Sequence, residues 1–130
     1  MTYYIDTSAL VKLVEVEESS SALHRWIDDQ RPELVSSDLL RTEFIRAINR
    51  VGRVDSIFVE DALRAIDTLP ASTGLFDVAG EIGDPGLRTL DALHLATAIG
   101  LGESCVGIVT YDTRLAEAAT AAGLEVFAPS

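Results

Sequence analysis

At 130 residues with 48% hydrophobic and 24% charged positions, the chain has the make-up of one folded domain, residues 1–130, and excludes a disordered or low-complexity chain. Its net charge of −11, from 21 acidic and 10 basic residues, argues against binding nucleic acid through a general positive field. One cysteine, Cys105, excludes an intrachain disulfide, and without a leader-like or long charge-free apolar run the expectation is a cytoplasmic protein with no membrane association.

The opening stretch Tyr3-Tyr4-Ile5-Asp6-Thr7-Ser8 predicts a strand that delivers a carboxylate, with hydroxyls beside it, to the mouth of a helix over Ala9–Val14. In an open parallel sheet, strand C-termini are where ligands bind, although Asp6 alone is explained equally well as a helix cap. Ser19–Asp29 reads as a second helix with Trp26 in the core and His24 on the surface. Glu33–Ser36 follows as a short strand.

Ser36-Ser37-Asp38 supplies a cap for a third helix, whose apolar positions Leu40, Phe44, Ala47, Ile48 and Val51 keep the 3.6 period up to Gly52. Glu43 falls along the edge of that buried stripe, a costly position for an unpaired charge. Arg46, Arg50 and Arg53 recur on a neighbouring face. Two readings of them stand: a ridge that contacts phosphates or a partner, or a solvated face in which Arg46 pairs with Glu43.

Asp55 or Ser56 caps a fourth helix with Val59, Ala62, Leu63 and Ile66 inward, Leu69–Ala71 is a short strand, and Gly74–Ile82 is a further helix before the Asp84-Pro85-Gly86 turn. Thr89–Ile99 is a helix apolar nearly all round, hence buried. Asp91 on its inward side needs a partner stronger than the helix dipole, and a cation is the simplest. His94, one turn on, reads as a hydrogen-bonded core histidine or a ligand. Val106–Thr110 is the clearest strand, and it runs through Asp112 into a helix over Arg114–Ala122 and a last strand over Leu124–Phe127. That unit implies parallel pairing by a right-handed crossover.

Singly, Asp6, Glu43, Asp91 and Asp112 are two caps, an edge acid and a first-turn acid. Together they fall where strands end or helices begin on one rim of an α/β sheet. Converging carboxylates raise one another's pKa unless a cation compensates them, and oxygen-only ligands favour Mg²⁺ or Mn²⁺ over zinc. Such a site suits phosphodiester hydrolysis by an activated water, with the hydroxyls of Ser8 and Thr110 orienting waters or the scissile phosphate.

Asp6-Thr7-Ser8, Thr42-Glu43-Phe44, Leu90-Asp91-Ala92-Leu93-His94-Leu95-Ala96 and Val109-Thr110-Tyr111-Asp112-Thr113-Arg114-Leu115, in that order, resemble the PIN-domain ribonucleases, in particular the VapC-type toxins of toxin–antitoxin pairs. The resemblance spans essentially the whole chain. It implies a three-layer α/β/α fold with a parallel sheet of order 3-2-1-4-5, a homodimer, and Mg²⁺-dependent endonucleolytic cleavage of RNA, often a tRNA or rRNA. It also implies Asp6, Glu43, Asp91 and Asp112 as metal-binding and catalytic residues, and a cognate VapB-type antitoxin lying along the helices near Glu43.

Two other readings compete. A catalytically idle PIN-like module would bind RNA or protein, but has no need to assemble repelling charges. A phosphoryl-accepting domain would also use a strand-end Asp and Mg²⁺. A receiver, however, wants a lysine after a late strand, where the only lysine is Lys12, and the phosphatase pattern wants an acid where Ser8 stands.

Overall fold

A computed structural model describes residues 1–52 and 55–130. Its centre is a five-stranded sheet of order β3-β2-β1-β4-β5, formed by β1 (Thr2–Ile5), β2 (Glu33–Ser37), β3 (Asp67–Leu69), β4 (Cys105–Val109) and β5 (Val126–Phe127). Every neighbouring pair is parallel. Among the described residues seven α-helices flank it: α1 (Thr7–Val14), α2 (Ser20–Gln30), α3 (Leu39–Val51), α4 (Ser56–Arg64), α5 (Thr73–Glu81), α6 (Thr89–Gly100) and α7 (Thr113–Ala121).

Strand alternation divides the core in two. Tyr3 and Ile5 of β1 face one side, with Leu34 and Val109, and pack against Leu10, Leu23, Phe44 and Leu63 of α1 to α4. Tyr4, between them, faces the other side with Ile108 and meets Leu95, Ala98, Leu115 and Ala119 of α6 and α7. A sheet covered on both faces needs apolar residues at every central position, which is why β1 and β4 read as continuous runs and not as alternating ones. Helix α5 packs on α6 through Ala79, Ala92, Leu93 and Ala96. Trp26 sits half-buried against Tyr3, ring centroids 4.9 Å apart, while His24 is exposed.

Three local expectations shift. The third strand is Asp67–Leu69 and not Leu69–Ala71: its register pairs Val35 with Asp67 and Ser37 with Leu69, and Pro70, lacking an N–H, stops it. Ile66 is buried as expected, yet it follows α4, whose C-cap is Ala65. Val51 is 57% exposed, because the final turn of α3 runs past the core. Within the Ser36-Ser37-Asp38 stretch expected to cap α3, the Ser37 Oγ accepts from the Leu39 N–H at 3.2 Å, while the Asp38 carboxylate makes no cap bond.

Gly107 in β4 has no room for a side chain. A Cβ there would lie 2.4 Å from the Glu125 carbonyl oxygen and 2.7 Å from the Phe127 ring, so the close approach of β5 depends on this glycine.

Candidate active site

The parallel sheet sends β1, β2 and β4 out at one rim, and α1, α3 and α7 start there. Asp6 directly follows β1; its backbone N–H still donates to the Val109 carbonyl at 3.3 Å, while its Oδ1 accepts from the Ala9 N–H at 3.2 Å and so caps α1. Asp112 occupies the equivalent place between β4 and α7, where its Oδ1 accepts from the N–H groups of Arg114 and Leu115 at 2.9 and 3.2 Å. Both carboxylates are thus fixed by helix starts, and each keeps a second oxygen directed elsewhere.

Asp6 is buried at 4% exposure and is surrounded by hydroxyls. The Ser8 Oγ donates to its Oδ1 at 2.7 Å and the Thr110 Oγ1 to its Oδ2 at 2.8 Å. Those hydroxyls are themselves held in place: Ser8 accepts from the Tyr111 N–H at 2.9 Å and Thr110 from the Asp112 N–H at 3.1 Å. Burial pushes the Asp6 carboxyl above the ordinary carboxylate range, and the bonds from Ser8, Thr110 and Ala9 only partly oppose it.

Glu43 reaches the rim from α3. Its Oε1 lies 2.5 Å from the Nε2 of His94 and accepts from the Thr7 hydroxyl at 3.1 Å. The other ring nitrogen of His94 lies 2.5 Å from the Tyr4 hydroxyl, which in turn accepts from the Ser37 N–H at 3.2 Å. A buried chain of polar groups, Ser37 to Tyr4 to His94 to Glu43, therefore crosses from the sheet to the cavity. Desolvation raises the Tyr4 hydroxyl well above its ordinary value, so it stays a neutral donor. Of the two readings of His94, hydrogen-bonded core residue describes its observed position.

Asp91 projects from the first turn of α6, and its side chain is 9% exposed. Its partner is Arg88, whose Nε donates to Asp91 Oδ2 at 2.8 Å while its Nη2 donates to Asp112 Oδ2 at 2.8 Å. Bonding to Asp91 first, and then the charges of Asp91 and Asp112, keep the guanidinium still more firmly protonated than usual. Arg88 and Tyr4 are the two members of the site that the sequence did not reveal. An Arg three residues before a buried helical Asp is an i,i+3 signal that could have found the first.

Asp6, Thr7, Ser8, Glu43, Arg50, Arg88, Asp91, His94 and Asp112 line one cavity of about 380 Å³. All four carboxylates singled out in the sequence are brought together in its wall. Of the arginine ridge, Arg50 reaches this cavity, Arg46 lines a separate small recess with Asn49, and Arg53 lies outside the described residues. Among the described residues the side chain that meets Glu43 across the site is the His94 imidazole and not Arg46, so of the two readings of the ridge the pairing within α3 is not formed.

The donor set fits a hard divalent cation: carboxylate oxygens with hydroxyls behind them and no thiolate. A cation already bridges two of these acids, the Arg88 guanidinium between Asp91 and Asp112. As the side chains stand, no three acidic, imidazole or thiol groups among the described residues are drawn around a common ion-binding point.

Residues 3–121 match the PIN domain family. The chain belongs to it. Within that family this PIN domain is of the VapC type: it is 42% identical over 130 residues to Ribonuclease VapC35 of Mycobacterium tuberculosis, covering 97% of this chain and 96% of the relative. It is also 42% identical over 127 residues to Ribonuclease VapC46 of the same organism, covering 98% and 97%. The crystal structure of Mycobacterium tuberculosis VapC20, a Sarcin-Ricin loop cleaving toxin, superposes with a TM-score of 0.74 at 15% identity, over 99% of this chain and 100% of that one. PAE2754 from Pyrobaculum aerophilum superposes with a TM-score of 0.61 at 24% identity, over 91% and 79%. At those identities the two structures speak for the PIN fold, which the five parallel strands and their order match.

Proposed function

We propose that this VapC-type PIN domain is a divalent-metal-dependent endoribonuclease, the toxin of a toxin–antitoxin pair, with Mg²⁺ as its ion and Mn²⁺ as a substitute. The observation that carries the reading is the convergence of Asp6, Glu43, Asp91 and Asp112 on one cavity at the C-terminal rim of the sheet. These four carboxylates are the residues that would hold the ion. When bound, the ion supplies Lewis-acid chemistry: it lowers the pKa of a water and neutralises charge at the scissile phosphate.

The chain's own residues do the rest by positioning. Ser8 and Thr110 keep both oxygens of Asp6 in fixed directions. The Tyr4–His94 chain aims Glu43 and, with Thr7, leaves its carboxylate an acceptor that can orient and deprotonate a nearby water. Arg50 in the cavity wall offers a positive group to an incoming phosphate, which an acidic chain otherwise repels.

The RNA class we propose is a structured tRNA or rRNA, on the family resemblance. The protein partner is a VapB-type antitoxin, and the assembly is a homodimer. In favour of an antitoxin is an apolar groove of about 460 Å³ between α1, α2 and α4, lined by Leu13, Val14, Ile27 and Phe58, with Phe58 60% exposed. The decisive experiment is cleavage of total RNA by the purified chain. Mg²⁺-dependent cutting that a chelator stops, and that Asp6→Asn and Asp91→Asn each abolish, supports the nuclease. RNA binding without cutting would instead identify the idle module.

A further inference from the structure

Arg88 stands where three features of the site meet. First, it consumes coordination capacity. The Oδ1 of Asp112 is taken by the N–H groups that start α7, so Oδ2 is that residue's remaining oxygen, and Arg88 Nη2 occupies it at 2.8 Å. Its Nε takes Asp91 Oδ2 in the same way. Second, it is movable. The Arg88 carbonyl is fixed by the Ala92 N–H at 2.9 Å, but the side chain is 53% exposed and makes no cap bond. Half-exposed ion pairs of this kind exchange readily with solvent and other charges. Third, it belongs to two cavities: besides the acidic one it lines an adjacent groove of about 540 Å³, together with Arg114, Leu87 and Ala118.

We propose that Arg88 is the resident counter-ion of the acidic cavity, which a divalent ion displaces from Asp91 and Asp112, and that the displaced guanidinium then contacts RNA phosphate from the wall shared with the neighbouring groove. This rests on the divalent-ion reading given above. It assigns Arg88 two linked tasks. Without the ion it balances two carboxylates, one of them almost fully buried, that would otherwise face each other uncompensated. With the ion in place it becomes a positive group beside the cleavage point in a chain of net charge −11. Arg88 thereby couples metal loading to substrate binding, because the ion frees the guanidinium for phosphate and phosphate, by holding the guanidinium, frees Asp91 and Asp112 for the ion.

The test is isothermal titration of Mn²⁺ into the whole chain without RNA, comparing wild type with Arg88→Ala and Arg88→Lys. Arg88→Gln serves in place of the alanine variant if that one does not fold. Losing the competing charge should tighten Mn²⁺ binding about tenfold, as expected for coupling between two sites, with Arg88→Lys between the two. At saturating Mn²⁺ the neutral variant should show a raised KM for RNA with a smaller change in kcat. Unchanged or weaker Mn²⁺ affinity in a folded Arg88→Ala would overturn the proposal, since Arg88 would then serve to orient the carboxylates, and the nuclease reading would stand. An unchanged KM would overturn its second half. Binding of Mn²⁺ by none of the chains would remove the divalent-ion reading and this inference with it.

Discussion

Asp6 carries a conflict: it is a buried carboxylate wired by three donors, yet pushed up by desolvation. An acid whose folded pKa exceeds its unfolded one binds more protons when folded, so stability declines as pH rises above the ordinary carboxylate range and levels off beyond the raised value. In chelator, Asp6→Asn should therefore raise the thermal midpoint near neutral pH and flatten its pH dependence, and in Mg²⁺ it should abolish RNA cleavage. The Thr110 hydroxyl can turn to accept from the new amide. A lower midpoint for this variant at neutral pH would contradict the account. Tyr4→Phe probes the other buried chain. It leaves the Ser37 N–H without its acceptor and the His94 Nδ1 without its partner, at a cost of about 1–3 kcal/mol in a urea titration. It should also slow cleavage by loosening Glu43.

Element by element, the junctions at the C-terminal ends of β1 and β4 show why part of this molecule can be read from its residues. Asp-Thr-Ser after an apolar run is at once a strand end and a helix cap, and Asp112-Thr113 repeats the design, so Asp6 and Asp112 were placed by local rules alone. Glu43 and Asp91 followed from helical periodicity, since a charge on an apolar stripe needs an explanation. What local rules missed depends on contacts across the fold. Tyr4 looks like any strand aromatic until α6 brings His94 to it, 90 residues away in sequence. Arg88 sits in a turn-rich stretch with no periodicity, and its link to Asp112 comes from the packing of α6 beside α7. The strand order itself came from family resemblance, not from patterning. Gly107 is equally silent in sequence, because only the partner strand makes it obligatory. Gly107→Ala should cost about 1–3 kcal/mol through overpacking, measured by urea denaturation, and should loosen β5 selectively in amide exchange.

For the whole molecule the governing fact is a net charge of −11 that accompanies a proposed RNA substrate. Binding must then be local, through a few arginines and a bound ion, and not through a wide positive surface. The dependence of RNA affinity on monovalent salt, measured in constant Mg²⁺ on a slowly cleaved oligonucleotide, should be shallow, corresponding to about two or three phosphate contacts. A steep dependence would place extra phosphate contacts outside the acidic cavity. An ion that binds only the folded chain raises its stability by mass action. Millimolar Mg²⁺ should therefore raise the thermal midpoint of the wild type, and Asp91→Asn should remove most of that gain, as differential scanning calorimetry would register.

The central strand also constrains when the proposed nuclease can become active. Strand β1 begins at Thr2, but one of its two flanking partners is β4, which begins at Cys105. Closing so long a span is slow and has to await the synthesis of β4. Until then Asp6 has neither the Thr110 hydroxyl nor Asp112 for company, and a nascent or prematurely terminated polypeptide lacks an assembled reaction centre. Topology alone thus delays the proposed activity until β4 has been made, leaving an interval in which the proposed antitoxin can already be waiting.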